Sequence, residues 1–193
     1  PIISYSINAA IKSNLFDKII VSTDDSEILE VAKNFGAEIP FLRPKNISDD
    51  HTGTMPVINH ALGWFEERNI IYRNICCIYP CSPLLKPVNL IKSLDLMKTA
   101  KADSCLPVCK FLSNPARSLI INSEGRLEWK NSEFKSTRTQ DLQEIYHDAG
   151  TFYWAKREKW LSGDILDGVP YELPNEDFVD IDNQDDWSRA EFL

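Results

Sequence analysis

A chain of 193 residues that is 43% hydrophobic and 26% charged has the length for one folded unit and the composition of a globular protein. Its net charge of −8 argues against broad binding to nucleic acid or to an anionic membrane surface, and no apolar run approaches the ~18 residues of a membrane span. The five cysteines, Cys76, Cys77, Cys81, Cys105 and Cys109, are odd in number, form no C-x-x-C pair and have no histidine at ligand spacing. Neither a disulfide framework nor a structural zinc site is expected from them, and reduced, mostly buried thiols in a cytoplasmic protein are.

Apolar residues at Ile3, Ile7, Ala10 and Ile11 recur at helical spacing and predict a helix over 2–13. The β-branched run Ile19-Ile20-Val21 predicts a buried strand within 16–22. Asp24, Asp25 and Ser26 are capping residues opening a helix through Asn34, with Gly36 as its stop. A strand over 38–42, a polar loop over 44–53 and an amphipathic helix over 55–68 follow. Residues 74–79 form a third strand, halted by Pro80 and Pro83. Pro87 sits in the first turn of a helix over 87–100, and 104–109 is a fourth strand.

This regular alternation predicts an α/β fold, a doubly wound, mostly parallel sheet covered by helices on both faces. Ligands of such sheets bind beyond the carboxyl ends of the strands, where the loops 22–26, 43–54 and 80–86 fall. After Phe111 the pattern changes. Short alternating pieces at 118–121 and 126–130 flank the turn Asn122-Ser123-Glu124-Gly125, and a polar stretch follows to Glu144. We read one domain over 1–193 with an inserted arm at about 113–146, whose small core implies packing on the main domain or on another subunit. Strands at 150–155, 169–173 and 178–181 and helices at 156–161 and from Gln184 complete the chain.

Phe178-Val179-Asp180-Ile181-Asp182-Asn183 is the stretch richest in chemistry. On a strand, Asp180 and Asp182 at i and i+2 share a face, and two adjacent carboxylates suit a hard divalent cation such as Mg²⁺. The alternative is that one aspartate caps the last helix and the other is solvated. No GxGxxG or GxxxxGK[ST] loop is present to cradle phosphates.

Several separate motifs, in order, carry a resemblance. They are Phe16-Asp17-Lys18-Ile19-Ile20-Val21-Ser22-Thr23-Asp24-Asp25, Gly36-Ala37-Glu38-Ile39-Pro40-Phe41-Leu42-Arg43-Pro44, Tyr79-Pro80-Cys81-Ser82-Pro83-Leu84 and Asp180-Ile181-Asp182. The chain resembles, over essentially its whole length, the acylneuraminate cytidylyltransferases, which have a Rossmann-like nucleotidyltransferase fold. Within that family Arg138-Thr139-Gln140-Asp141-Leu142 and Tyr146-His147-Asp148-Ala149-Gly150-Thr151-Phe152-Tyr153-Trp154 are similar to the branch that handles pseudaminic acid.

The resemblance implies transfer of CMP from CTP to the anomeric 2-hydroxyl of a nine-carbon 2-keto acid sugar, with release of pyrophosphate and dependence on Mg²⁺. It assigns Asp180 and Asp182 to metal and catalysis and Arg43 and Thr54 to the nucleotide. It assigns Tyr79, Ser82, Arg138, Gln140, Asp141 and His147 to the sugar, with Arg138 as the bidentate partner of its carboxylate. Asp24 and Asp25 read as caps, and Thr54 is equally able to cap the helix it precedes. A homodimer joined through the arm is implied. Family members begin with a strand and a phosphate-cradling loop, and this chain opens beyond them, so the resemblance implies that this segment is missing and turnover is weak without it. The same chemistry on legionaminic, N-acetylneuraminic or 3-deoxy-octulosonic acid is an alternative, as is a non-catalytic nucleotide-sugar-binding or assembly subunit.

Overall fold

The computed structural model describes residues 1–193. Its helices are α1 (Ile3–Ser13), α2 (Ser26–Asn34), α3 (Thr54–Glu66), α4 (Pro87–Thr99), α5 (Arg157–Ser162) and α6 (Gln184–Phe192). Its strands are β1 (Asn74–Ile78), β2 (Ser104–Lys110), β3 (Leu119–Ile121), β4 (Leu127–Trp129), β5 (Tyr146–Asp148), β6 (Phe152–Lys156) and β7 (Val169–Glu172). Local chemistry accounts for the helix ends. The Asp25 carboxylate accepts the amides of Glu27 and Ile28 and so caps α2, Pro87 enters the first turn of α4, and Asn183 caps α6 in a reciprocal box with Asp186.

One sheet runs β1-β6-β2, with β5 beside the far end of β2 and β7 along its other edge. Side-chain alternation along β6 divides the core between its two faces. Phe152 and Trp154 pack with Leu90, Leu94 and Met97 of α4 and Ala9 of α1, and Phe16 stacks on Trp154 at 5.2 Å. Tyr153 and Ala155 pack on the opposite face with Leu62 of α3, Trp160 of α5 and Leu106. The α/β layering, with helices on both faces, is as the sequence implies.

Strand pairing is where the structure departs from expectation. β1 and β2 both run antiparallel to β6, so they point the same way, and β7 is parallel to β2. The crossover through α4 therefore exists, but β6 returns between its two strands and makes most hydrogen-bonded neighbours antiparallel. Periodicity reports which segments are strands and not which of them are adjacent.

Two expected strands, 16–22 and 38–42, are reduced to one parallel bridge between Ile20 and Glu38. Val21 and Glu38 donate their amides to Glu38 and Ile19 at 3.0 and 2.8 Å, and Pro40, which has no N–H, cannot extend the ladder. The strand expected at 178–181 is also absent. After Leu173 donates to Val108, a turn at Pro174–Asp177 leads the chain off the sheet edge, and 178–181 has no ladder partner. The hairpin at β3–β4 forms where expected, as a separate sheet.

Burial raises the Cys77 and Cys109 thiols to about 12 and Cys105 to about 11, and raises Cys76 well above its ordinary value. Cys81 alone is exposed, and all five cysteines are free. Alkylation of the native protein at pH 8 is expected to modify Cys81 first, as read by peptide mass mapping. Equally fast labelling of Cys105 or Cys109 would contradict this packing.

Candidate active site

The site grows from a break in the sheet. Residues 146–156 run beside β2 as β5 and then β6, but Asp148 is opposite Val108 while Trp154 is opposite Cys105. The chain opposite β2 is therefore longer than β2 itself, and it bulges at Ala149-Gly150-Thr151. Pro107 explains the location. Its carbonyl accepts the Ala149 amide at 3.1 Å, but its nitrogen, on the same edge, has no hydrogen to return. Gly150 makes the bend with φ +61°, in the left-handed region.

Asp148 spans the bulge. Its Oδ1 accepts the Gly150 amide at 2.9 Å, an Asx-turn, and its Oδ2 accepts the Tyr153 hydroxyl at 2.6 Å. Burial first, and then this bond to Asp148, drives the Tyr153 phenol far above its ordinary value, so it stays a donor. The Tyr153 ring meets Tyr79 edge-on at 5.4 Å, and the Tyr79 hydroxyl hydrogen-bonds Thr54 Oγ1 at 2.9 Å. Thr54 therefore does not cap α3; the N-cap is Gly53, without a side-chain bond.

Asp180 lies against the bulge, where a Cβ on Gly150 would come within 3.4 Å of its Oδ2. Burial first, then the neighbouring carboxylates Asp182, Asp148 and Asp186, hold its carboxyl above the usual range, while His147 acts in the opposite sense. The segment carrying Asp180 is anchored on both sides. Asp177 accepts Lys86 Nζ at 2.5 Å and Asn89 Nδ2 at 3.4 Å, and Phe178 and Val179 are buried. On the other side the Asp182 and Asn183 amides donate to Asp186 at 3.1 Å. The helix cap is thus Asn183, and both Asp180 and Asp182 keep free, exposed carboxylates.

Neither aspartate has a lysine or arginine partner. Two hard oxygen donors in an uncompensated negative field fit a divalent cation. No third protein ligand joins them, so the rest of the shell would be water and phosphate oxygens, the coordination Mg²⁺ favours.

The other expected site residues fall into separate groups. His147 lies between Phe111 and Phe178, with ring centroids at 4.8 and 5.4 Å, and its Nδ1 donates to the Asp148 carbonyl at 2.8 Å, while Nε2 makes no hydrogen bond. Ser82 is 2% exposed and directs its hydroxyl to the Thr151 carbonyl at 3.4 Å, supporting the bulge from beneath. Arg43 binds Ser48 and Asp24, each at 3.2 Å, so Asp24 is the partner of Arg43 and not a cap. Arg138 and Asp141 pair bidentately at 2.6 and 3.1 Å on the arm, and Gln140 is exposed between them. Thr54, Tyr79, His147 and Asp180 are therefore drawn together around the bulge, while Arg43 and the Arg138 group each form a cluster of their own. Asp148 and Tyr153 are central to the geometry, although the sequence motifs assign neither a role. Their available signal was the Asp-x-Gly spacing of an Asx-turn.

A family model described as Cytidylyltransferase matches residues 1–178. A pseudaminic acid cytidylyltransferase of Campylobacter jejuni is 33% identical over 196 residues, which covers 100% of this chain and 84% of that protein. A CMP-N,N'-diacetyllegionaminic acid synthase of Legionella pneumophila is 27% identical and covers 100% of this chain and 84% of that protein. The solved structure of a CMP:2-keto-3-deoxy-manno-octonic acid synthetase complexed with CTP superposes with a TM-score of 0.65 at 12% identity, over 100% of this chain and 87% of that one.

Gly150→Ala is expected to lower the unfolding free energy by about 1–2 kcal/mol through left-handed strain, measured by denaturant titration; an unchanged midpoint would contradict the bend. A second expectation concerns charge. Because the Asp180 carboxyl is raised in the folded state, its ionisation opposes folding, and the penalty appears as pH rises through the folded value. Asp180→Asn should therefore raise the Tm of the protein in EDTA at neutral pH. Well below the ordinary carboxylate value of about 3.9 the gain should vanish, since the carboxyl is then protonated in both states.

Proposed function

The chain belongs to the cytidylyltransferase family, and from that premise we propose that it transfers CMP from CTP to the anomeric 2-hydroxyl of a nonulosonic acid, with pseudaminic acid as the favoured substrate. What supports this reading most is the full-length similarity to a pseudaminic acid cytidylyltransferase, together with the unpaired carboxylates of Asp180 and Asp182. The sugar oxygen attacks the α-phosphorus, the bond to the bridging oxygen breaks, and pyrophosphate leaves with the electron pair. The hydroxyl proton passes to a carboxylate oxygen of the aspartate pair. Asp180 and Asp182 would hold Mg²⁺, which when bound neutralises charge at the α-phosphate.

The remaining side chains bind and orient. Arg43, held by Asp24 and Ser48, presents guanidinium donors to the cytosine carbonyl and ring nitrogen, with the Thr54 hydroxyl beside Tyr79. His147 Nε2 and the Tyr79 hydroxyl address the sugar, and Ser82 shapes the loop beneath it. Arg138 exchanges Asp141 for the sugar's carboxylate, a swap between equivalent bidentate partners, and Gln140 and Asp141 read its hydroxyl or acylamino groups.

Residues 113–146 serve as a dimerisation arm on a single domain. In support, Leu119, Ile121 and Leu127 are 50%, 74% and 69% exposed on a hairpin that pairs only with itself. No helix is long and apolar enough to cross a membrane, and a cytoplasmic location agrees with free thiols and with CTP as donor.

Pyrophosphate release with CTP, Mg²⁺ and a panel of 2-keto acid sugars tests the reading. Pseudaminic acid is expected to exceed N-acetylneuraminic acid in kcat/KM by on the order of 10⁴-fold, the discrimination of a site whose buried polar groups the wrong substrate leaves unpaired. A legionaminic or 3-deoxy-octulosonic preference would reassign the acid, and no turnover with any sugar would sink the transferase reading. Asp182→Asn is expected to lower kcat by on the order of 100-fold. Light scattering is expected to give twice the chain mass, and Ile121→Lys should restore the monomer.

A further inference from the structure

We propose that Asp148 is a positioning residue for the reaction. Through the Gly150 amide it sets the shelf on which Asp180 rests, and through Tyr153 and Tyr79 it ties that shelf to Thr54 on the nucleotide side. The inference rests on the proposed function for its purpose, but the mechanical link stands on the geometry alone.

Both Asp148 oxygens are committed, Oδ1 to Gly150 at 2.9 Å and Oδ2 to Tyr153 at 2.6 Å. It forms no cluster of three possible ligands with Asp180 and Asp182. Asp148 nevertheless lies near enough to be a negative neighbour of Asp180. The two bonds oppose each other mechanically. One fixes the left-handed bend at Gly150, and the other pulls the following strand back toward β5 through a tyrosine that is 6% exposed. Tyr153 in turn packs on Tyr79, whose hydroxyl ends at Thr54 in the first turn of α3. Residues from positions 54, 79, 148, 153 and 180 are thereby held in one frame. Outer partners of this kind govern how well a carboxylate presents itself to a cation.

The test compares Asp148→Ala, Asp148→Asn and Tyr153→Phe, with Leu90→Ala as a destabilised control buried on the opposite face of the sheet. Mn²⁺ affinity is read by electron paramagnetic resonance of the free ion, and exchange of the Gly150 amide by NMR. Asp148→Ala and Tyr153→Phe are expected to weaken Mn²⁺ binding by about 10-fold and to speed Gly150 exchange, while Leu90→Ala leaves Mn²⁺ affinity unchanged. Asp148→Asn, which keeps an acceptor for the Gly150 amide, is expected to recover part of the loss. Equal loss in Asp148→Asn and Asp148→Ala would mean that charge and not position matters, and would overturn the proposal. Equal loss in Leu90→Ala would overturn it as well. If the wild-type protein binds no Mn²⁺, the metal assignment fails separately, and Gly150 exchange alone decides the link: unchanged exchange in Asp148→Ala and Tyr153→Phe refutes it.

Discussion

The missing N–H of Pro107 is a small defect on which the geometry of the site depends. In a regular strand Asp148 and Tyr153, five residues apart, would face opposite sides of the sheet. The extra length at Ala149-Gly150-Thr151 breaks that alternation, and the Tyr153 hydroxyl then reaches Asp148. The same break leaves room beside Gly150 for Asp180. A completed ladder would have given a better sheet and no place for the carboxylate pair. Bulges beside active sites commonly act in this way, re-aiming side chains at the expense of pairing.

The structure also holds the aspartate pair against its own repulsion. Asp180 and Asp182 face further acidic neighbours with no cation of the protein between them, an arrangement that disfavours folding. It is stabilised by groups that take no part in the chemistry. Phe178 and Val179 are buried, Asp177 is locked to Lys86 and Asn89, and the capping box of α6 fixes the chain just beyond Asp182. Strain and like-charge contacts kept in place by surrounding packing are characteristic of functional sites.

The residues proposed for the nucleotide and those proposed for the sugar lie on different parts of the fold. Arg43 and Thr54 lie at or just after the short parallel bridge and at the start of α3, whereas Arg138, Gln140 and Asp141 lie on the arm. The arm carries its own hairpin and its own internal ion pair, so it can change in sequence without disturbing the sheet. That separation agrees with relatives that share the cytidylyl chemistry and differ in the named sugar acid.

Much of this was legible in the residues. Caps, prolines and apolar spacing locate α1 to α6, β1, β2, β6 and β7 to within a few positions, because these signals act over one or two turns of chain. The ordered motifs identify the family, and the Asp180/Asp182 spacing marks two neighbouring carboxylates. Strand adjacency was not legible, since β6 reaches its place between β1 and β2 from beyond the arm, and no local pattern records that return. Nor was the loss of ladders at 16–22, 38–42 and 178–181: the apolar residues of the first two are half-buried or exposed around a single bridge, and Phe178 and Val179 are buried without a strand partner. Short-range signals in the residues place most helices and strands and the polar groups at their ends. The meeting of Pro107, Gly150, Asp148 and Tyr153 follows from pairing alone, because a hydrogen bond withheld on one strand has its consequence on another, some forty residues away in the chain.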